Sequence, residues 1–413
     1  MSHTEQPSFA ARMRALRVER GLSLRTLAKV AIYGKSYLHE LETGAKQPTD
    51  QAARRIDEAL AAGGELVALV PSGLRRREVI ARAGLVAALP HTLLSHGRQI
   101  GADMPRQLAE RTARLRRLDD YLGGADTFAM YAAELDSTVR LAQDGSYTEA
   151  TGRALLTTLG EQAQLAGWAA FDSGRRAEAA RLFRTSHAAA RDAGDSSLAG
   201  NAFAFLAYQE AATHGKHRAL SQAVAACETA GPGATPGVRA LLHFRRAWVH
   251  AVNGQAVDTE RHLGLGSTCL AEHDARPEPD WVYWVDRREA EIMTGRCWAV
   301  LRRPLRAISV LDAVLTQYED THARDKALYL SWLADAYLDA NEVEQACVTA
   351  TASVRLAAGV GSIRPGERIA TFLDQLGPYA ELACVVELRG LVTELRPTWL
   401  ASQGTPRIPP RSG

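Results

Sequence analysis

The sequence of 413 residues predicts an all-α protein, in which a small N-terminal helical domain precedes a superhelix of helical hairpins. Apolar residues recur at spacings of three and four almost throughout, whereas the alternating pattern of strands is nearly absent. Residues 8–69 contain five predicted helices, at about 8–20, 24–30, 35–42, 49–61 and 63–69. Beyond residue 150, turn residues recur about every 40 positions, a period typical of helical solenoids.

The predicted turns of the repeat share a small or turn-forming residue between two helices. They fall at Gly174, Gly215, Gly254, Gly295 and Asn341. In the first unit the small residues Gly167 and Ala179 would let the paired helices approach, and Phe183 would fill the gap between units. These units resemble degenerate tetratricopeptide repeats with longer loops.

The composition shifts along the chain and suggests where the domains end. Residues 68–78 combine Pro, Ser and Gly with a basic run, which is typical of a linker. We therefore predict a head at 8–69, a linker with connecting helices at 70–150, the repeat domain at 151–396 and a disordered tail at 397–413.

Charge is unevenly distributed. Residues 1–82 contain 14 Lys and Arg against 9 Asp and Glu, although the whole chain has a net charge of only +2. A basic N-terminal domain is a mild indication of nucleic-acid binding. The five widely spaced cysteines predict buried thiols in a reducing compartment, and no segment predicts a signal peptide or a membrane span. We expect a cytoplasmic protein.

Gly34-Lys35-Ser36 resembles the end of a phosphate-binding P-loop, which has the form G-x-x-x-x-G-K-[ST]. The first glycine of that motif would fall at Lys29, and the preceding segment is predicted to be a helix instead of a strand. The sequence therefore excludes a P-loop here.

The same region fits a helix-turn-helix motif, because Ala28 supplies the small residue at the helix crossing and Leu38 and Leu41 would face the core. The ordered pattern R-x-x-R-G-L-S-L-x-x-L-A, then S-Y-L-x-x-L-E-x-G, then P-T runs from Arg17 to Thr49. This pattern resembles the Cro/lambda-repressor-like (xenobiotic response element) family of DNA-binding domains over residues 8–69. The resemblance implies a lambda-repressor-like fold that binds double-stranded DNA.

Carried over by position, the family's base-reading residues lie on the exposed face of the second helix of the motif. They are Lys35, Ser36, His39 and Glu40. A second set could hold the phosphate backbone and fix the register. It comprises Arg25, Thr26, Tyr33, Tyr37 and Lys46. Two alternatives stay open: Glu40 could accept from a cytosine amino group or be a solvated charge, and Tyr37 could be partly packed.

The turn of the motif departs from the family at two positions. Ile32 stands where glycine is usual, and Gly34 stands where Ser or Thr commonly caps the helix. Because a β-branched residue hardly adopts a positive φ, we expect a rebuilt turn in which Gly34 supplies the permissive backbone.

The long helical part contains no recognisable catalytic, metal or cofactor motif. His243 and His250 are seven residues apart on one predicted helix, too far to share a metal ion. Trp281, Tyr283 and Trp284 cluster at the start of a predicted helix, where they could pack or line a ligand groove. We expect no enzyme activity, no cofactor and no metal.

These observations favour a sequence-specific transcriptional regulator, in which the repeat domain mediates dimerisation and binds a peptide, small-molecule or protein partner. The two-part architecture resembles effector-sensing regulators and large actinobacterial regulators. An interaction scaffold whose head is a docking module is the alternative, and an enzyme with a regulatory head has no residue set to support it.

Overall fold

The computed structural model describes residues 8–31, 33–46, 48, 50–69, 99–212 and 216–401. The chain divides into two compact units, residues 1–81 and 82–413, which we call the head and the body. Four features predicted from the sequence lie outside the described residues. They are Ile32, Gly215, the linker at 70–78 and the last twelve residues of the tail.

The head is a bundle of short helices, and its described part matches the predicted elements closely. The helices are α1 Phe9–Glu19, α2 Leu24–Ala31, α3 Lys35–Glu42, α4 Asp50–Ala59 and α5 Glu65–Ala68. Ser8 begins α1, because its hydroxyl accepts a hydrogen bond from the amide of Ala11. Leu27, Leu38 and Leu41 are fully buried in one apolar core, as the helix-turn-helix interpretation requires.

The body consists of helices that pack as consecutive antiparallel pairs. Its first two helices are α6 Asp103–Arg116 and α7 Gly124–Asp144. Five pairs follow: α8 Glu149–Asp172 with α9 Arg176–Ala193, α10 Ser196–Ala211 with α11 Lys216–Ala230, α12 Pro236–Val252 with α13 Ala256–Ala271, α14 Arg287–Val300 with α15 Pro304–Thr316, and α16 Ala323–Asp339 with α17 Val343–Ala357. The final helices are α18 Arg364–Gln375 and α19 Ala383–Ala401. This all-α, solenoid-like arrangement confirms the predicted fold class.

Glycines allow close approach of the paired helices. A Cβ on Gly167 would lie 2.6 Å from the ring of Phe183, and one on Gly266 would lie 2.6 Å from the ring of Phe244. These distances are shorter than real Cβ contacts permit, so the large residue of one helix fills the space that glycine leaves on the other. The predicted role of Gly167 is confirmed. Phe183 fills space within its own pair and also stacks on Phe205 of the next pair, with ring centres 4.9 Å apart, as its predicted role between units requires.

One predicted turn was wrong. Gly295 lies inside α14, where a Cβ would meet the side chain of Leu311 at 2.5 Å, so it is a packing residue. The turn of this pair falls instead at Arg302, whose φ is +53°. The turns at Gly174, Gly254 and Asn341 are confirmed, and all three residues have a positive φ.

The body closes on itself through contacts between distant parts of the chain. The amide of Ala125 donates to the carbonyl of Gly361 at 2.8 Å, and the amide of Ile363 donates to the carbonyl of Asp172 at 3.0 Å. Arg116 and Arg117 both donate to the carboxylate of Asp280, in the segment between α13 and α14. The start of the body therefore contacts elements near its end.

Within the ranges that the structure describes, none of the helices is both long and apolar enough to cross a lipid bilayer.

Candidate DNA-binding face and internal chamber

Helix α3 presents the four predicted base-reading residues on one exposed face. Lys35, Ser36, His39 and Glu40 are all exposed, and their positions span about 140° of the helix circumference. Leu38 and Leu41 on the other face are fully buried, which fixes the orientation of α3 in the head. The structure thus brings all four residues together on a surface of the head.

Gly34 precedes α3 in an ordinary extended conformation, with φ −66° and ψ 142°. A Cβ at this position would meet nothing within 4 Å. The prediction that Gly34 supplies a glycine-only backbone was therefore wrong, since any residue can adopt these angles. A backbone conformation that favours glycine is found instead at the end of α3, where Gly44, two residues after Glu42, has φ +73°.

The predicted phosphate-contacting residues surround the same helix. Arg25 and Thr26 are exposed in the first turn of α2, where the Thr26 amide donates to the hydroxyl of Ser23 at 3.1 Å. The rings of Tyr33 and Tyr37 lie 5.1 Å apart, and both pack partly against the core. Both tyrosines therefore have packing roles in addition to any contact with DNA.

Lys46 and Glu40 lie together at the other end of α3. The Lys46 ammonium lies 5.2 Å from the ring centre of Tyr37 and 4.0 Å from the Glu40 carboxylate. The charge of Glu40 is thus partly offset by a neighbouring cation in the free head. Arg55, which no local motif in the sequence marks, lies 5.9 Å from the Tyr33 ring centre.

A pair of charged residues holds α3 against α1. Arg17 donates to the carboxylate of Glu42 at 2.5 and 3.1 Å and to the carbonyl of Leu22 at 2.7 Å. The Glu42 side chain is only 6% exposed. The hydrogen bonds to Glu42 raise the pKa of Arg17, so its guanidinium stays charged.

The body contains a chamber of about 370 Å³, within the range of small-molecule sites. The first helix of each pair contributes to its wall, namely α8, α10, α12, α14 and α16. The segment before α14 forms another part of the wall, where the hydroxyl of Tyr283 donates to Asp120. Trp281, Tyr283 and Trp284, the aromatic cluster seen in the sequence, all line this chamber.

Most charges in the chamber wall are paired. Arg324 lies 2.8 Å from the carboxylate of Asp119 and 3.0 Å from that of Asp325. Arg116 lies 2.6 Å from the carboxylate of Glu161. These contacts compensate the charges that burial would otherwise penalise.

Three arginines surround the side chain of Tyr208 in the chamber wall. Its hydroxyl oxygen accepts from Arg296 at 2.9 Å and from Arg364 at 3.0 Å, and the Arg245 guanidinium lies 4.4 Å from its ring centre. Burial opposes ionisation of the phenol, but Arg296, Arg364 and Arg245 outweigh it and lower the pKa of Tyr208 to about 7.

Glu289 lies in the same chamber, where its carboxylate accepts from the hydroxyl of Tyr329 at 3.1 Å. Burial raises the pKa of Glu289 to about 7, against the attraction of Arg296 and Arg245. Tyr208 and Glu289 therefore titrate near neutral pH, and burial also raises the pKa of Asp119, in the same wall, to about 6. Tyr208, Glu289 and the arginines come from separate helices and form no local motif, so no pattern in the sequence marks them as a site.

Three histidines meet between α12 and α13, His243 and His250 on the first helix and His262 on the second. The Nδ1 atoms of His243 and His262 lie 3.1 Å apart, and the rings of His250 and His262 stack at 5.3 Å. Burial lowers the pKa of His262 to about 4, and Arg246 adds to the effect. In the described part of the chain, no group of His, Cys, Asp and Glu has an arrangement that could hold a metal ion.

Comparison with known proteins identifies the head. Residues 8–70 match the family described as a helix-turn-helix domain. This match covers the five helices of the head and ends before the body. No curated protein matches the chain significantly.

Proposed function

We propose that this chain is a cytoplasmic, sequence-specific DNA-binding regulator of transcription, and not an enzyme. The observation that carries the proposal is the exposed face of α3 within a helix-turn-helix domain. Lys35, Ser36 and His39 can donate hydrogen bonds to base edges, while Glu40 can accept from a cytosine amino group. The exposed Arg25 and Lys46 would hold phosphates on either side.

The resemblance to xenobiotic response element regulators supports this assignment at the level of the head. For the body, we propose that the helical pairs are degenerate tetratricopeptide repeats that bind an effector or partner and mediate dimerisation. A dimer would place two copies of α3 on half-sites about one helical turn apart, which would double the number of DNA contacts.

A gel-shift titration of the full chain on the upstream region of its own gene tests the proposal. We expect a specific complex that resists competition by random duplex DNA and weakens steeply with salt, because phosphate contacts release counterions. If no sequence outcompetes random duplex, the regulator proposal fails, and a protein-docking role for the head becomes the better explanation.

Two charge-reversal variants test whether α3 reads bases or only contributes net charge. Lys35→Glu should lower specific binding at least tenfold, because it replaces a donor in the groove with a charge that phosphates repel. Arg14→Glu changes the net charge equally at an exposed position of α1 and should retain most of the binding. Equal losses in both variants would mean that only net charge matters, which contradicts base reading by α3.

A further inference from the structure

In the part of the chain that the structure describes, two of the arginines around Tyr208 lack the carboxylate partners that Arg116 and Arg324 have in the chamber wall. Arg245 and Arg296 are only 8% and 3% exposed, yet neither forms an ion pair with a carboxylate within the described residues. The Nε atom of Arg296 is buried without a hydrogen-bond partner there. A buried guanidinium that lacks a counter-charge is costly, and such a group calls for an explanation.

Protein carboxylates do not supply the missing charge. Arg364, the third cation at Tyr208, lies 3.4 Å from Asp172, whose carboxylate also accepts from the amide of Gly124 and the hydroxyl of Ser362. Glu289 is bound by the hydroxyl of Tyr329 and is half protonated near pH 7. Tyr208, with a pKa of about 7, supplies a further partial negative charge. Asp172, Glu289 and Tyr208 together still carry less negative charge than the three arginines carry positive charge, so this end of the chamber has an excess of positive charge.

Aromatic surfaces lie beside these cations. Arg245 lies 5.6 Å from the ring centre of Trp284, and Arg364 lies 4.8 Å from that of Trp168. Phe205 continues this surface, at 5.8 Å from Trp168. Donors for an anionic group are therefore next to ring faces on which a planar group can stack.

We propose that the chamber binds a small organic anion with an aromatic body, whose acidic group pairs with Arg245 and Arg296 and whose ring packs against Trp168, Phe205 and Trp284. The volume of about 370 Å³ fits such a molecule better than an extended peptide. This inference deepens the effector role proposed above and rests on it for its biological meaning.

Tryptophan fluorescence of the full chain tests the inference, since Trp168, Trp281 and Trp284 line the chamber. Three probes share the naphthalene ring and have similar size but carry a negative, no or a positive charge: 2-naphthoate, 2-naphthamide and 2-naphthylmethylammonium. We expect saturable quenching by naphthoate, with binding at least tenfold tighter than for the neutral amide and the cation. Naphthoate that shows no saturation, or binds no better than the amide, overturns the proposal.

Two matched variants locate the anion. Arg245→Met preserves side-chain length and should weaken naphthoate binding about tenfold or more while leaving naphthamide binding unchanged. Arg287→Met removes the same charge from an exposed arginine at the start of α14 and should bind naphthoate as the wild type does. Thermal unfolding checks that both variants fold, and Phe205→Ala provides a second test if Arg245→Met does not. Naphthoate binding that survives both Arg245→Met and Phe205→Ala overturns the proposal.

A gel shift with and without naphthoate distinguishes anion binding in the chamber from DNA binding by the head. Binding in the chamber without any change in the gel shift supports the site and contradicts its effector role. Specific DNA binding with no probe in the chamber supports the regulator and overturns the anion site. Mass spectrometry of natively purified protein then seeks the natural ligand, which we expect to be an aromatic acid.

Discussion

The ion pair between Arg17 and Glu42 provides a test of how the head orients its recognition helix. Replacing Arg17 with Met removes both hydrogen bonds to Glu42 and the bond to the Leu22 carbonyl. It leaves a carboxylate that is only 6% exposed without its cation. Loss of one partner of a fully buried pair costs about 3–5 kcal/mol. Because the Arg17 side chain is itself 15% exposed, we expect about 2–3 kcal/mol.

That loss would be a large part of the stability of the head. A unit of about 60 residues has a free energy of unfolding of roughly 3–9 kcal/mol. Hydrogen–deuterium exchange with mass spectrometry on the full chain measures the effect locally, through peptides from α3. All seven tryptophans lie in the body, so their fluorescence would not report on the head. Arg14→Met, at an exposed position of α1, should change protection by less than about 0.5 kcal/mol.

A double-mutant cycle separates the ion pair from other effects of the substitution. Arg17→Met combined with Glu42→Leu leaves no buried charge, so the double variant should lose only about 1 kcal/mol, mainly from the unpaired Leu22 carbonyl. If Arg17→Met leaves the protection of α3 unchanged, or if the double variant loses the sum of the single variants, the pair does not hold α3 in place.

Three further predictions concern the body, where tryptophan fluorescence reports unfolding and probe binding. Gly266→Ala should destabilise the body by about 1–3 kcal/mol, because its Cβ would overlap the ring of Phe244. Gly264→Ala, whose Cβ would meet nothing within 4 Å, should stabilise the body by about 0.5–1 kcal/mol. Equal denaturant midpoints for the two variants would contradict the packing described. Naphthoate should bind about tenfold more weakly at pH 8 than at pH 6, because Tyr208 and Glu289, each with a pKa of about 7, lose protons beside the arginines; a flat profile would show that neither group titrates there. The contribution of His262 to the free energy of unfolding should fall by about 3 kcal/mol between pH 7 and pH 4, since His262, with its pKa lowered from 6.5 to about 4, takes up a proton more readily in the unfolded chain. Because Glu289, with its raised pKa, acts in the opposite direction, the measurement is the difference between variants: between pH 7 and pH 4 the wild type should lose about 3 kcal/mol more than His262→Asn.

The helices of the head could be predicted closely because the apolar pattern that specifies them lies within short stretches of sequence. Apolar spacing placed α1, α2 and α3 within a residue or two of their observed ends, and the burial of Leu38 and Leu41 followed from the same periodicity. The exposure of Lys35 and His39 followed from it as well. The prediction of a glycine-only backbone conformation at Gly34 was wrong, because glycine is compatible with many backbone angles and its presence does not require a positive φ.

The body was predicted as a class of architecture, but its turns were harder to place. The spacing of turn residues predicts a turn at Gly295, although this glycine serves a helix crossing, and the turn at Arg302 uses a residue that rarely adopts a positive φ. Glycine serves both roles, so composition alone does not separate them.

The chamber was largely beyond sequence reasoning. Trp281 and Trp284 formed a local signal, whereas Arg245, Arg296 and Arg364 lie on three different helices. Only the curvature of the stacked helices brings these side chains together. No periodic pattern encodes that proximity.

The closure of the body has a consequence for how the protein reaches its native state. An open solenoid folds by adding neighbouring repeats, and each repeat can form as soon as it leaves the ribosome. Here Ala125 bonds to Gly361 and Asp172 bonds to Ile363, so these contacts wait until most of the chain has been synthesised. Contacts of such high sequence separation form slowly. We therefore expect late folding of the chamber, and we expect a chain truncated before Gly361 to retain helices but lack a finished chamber.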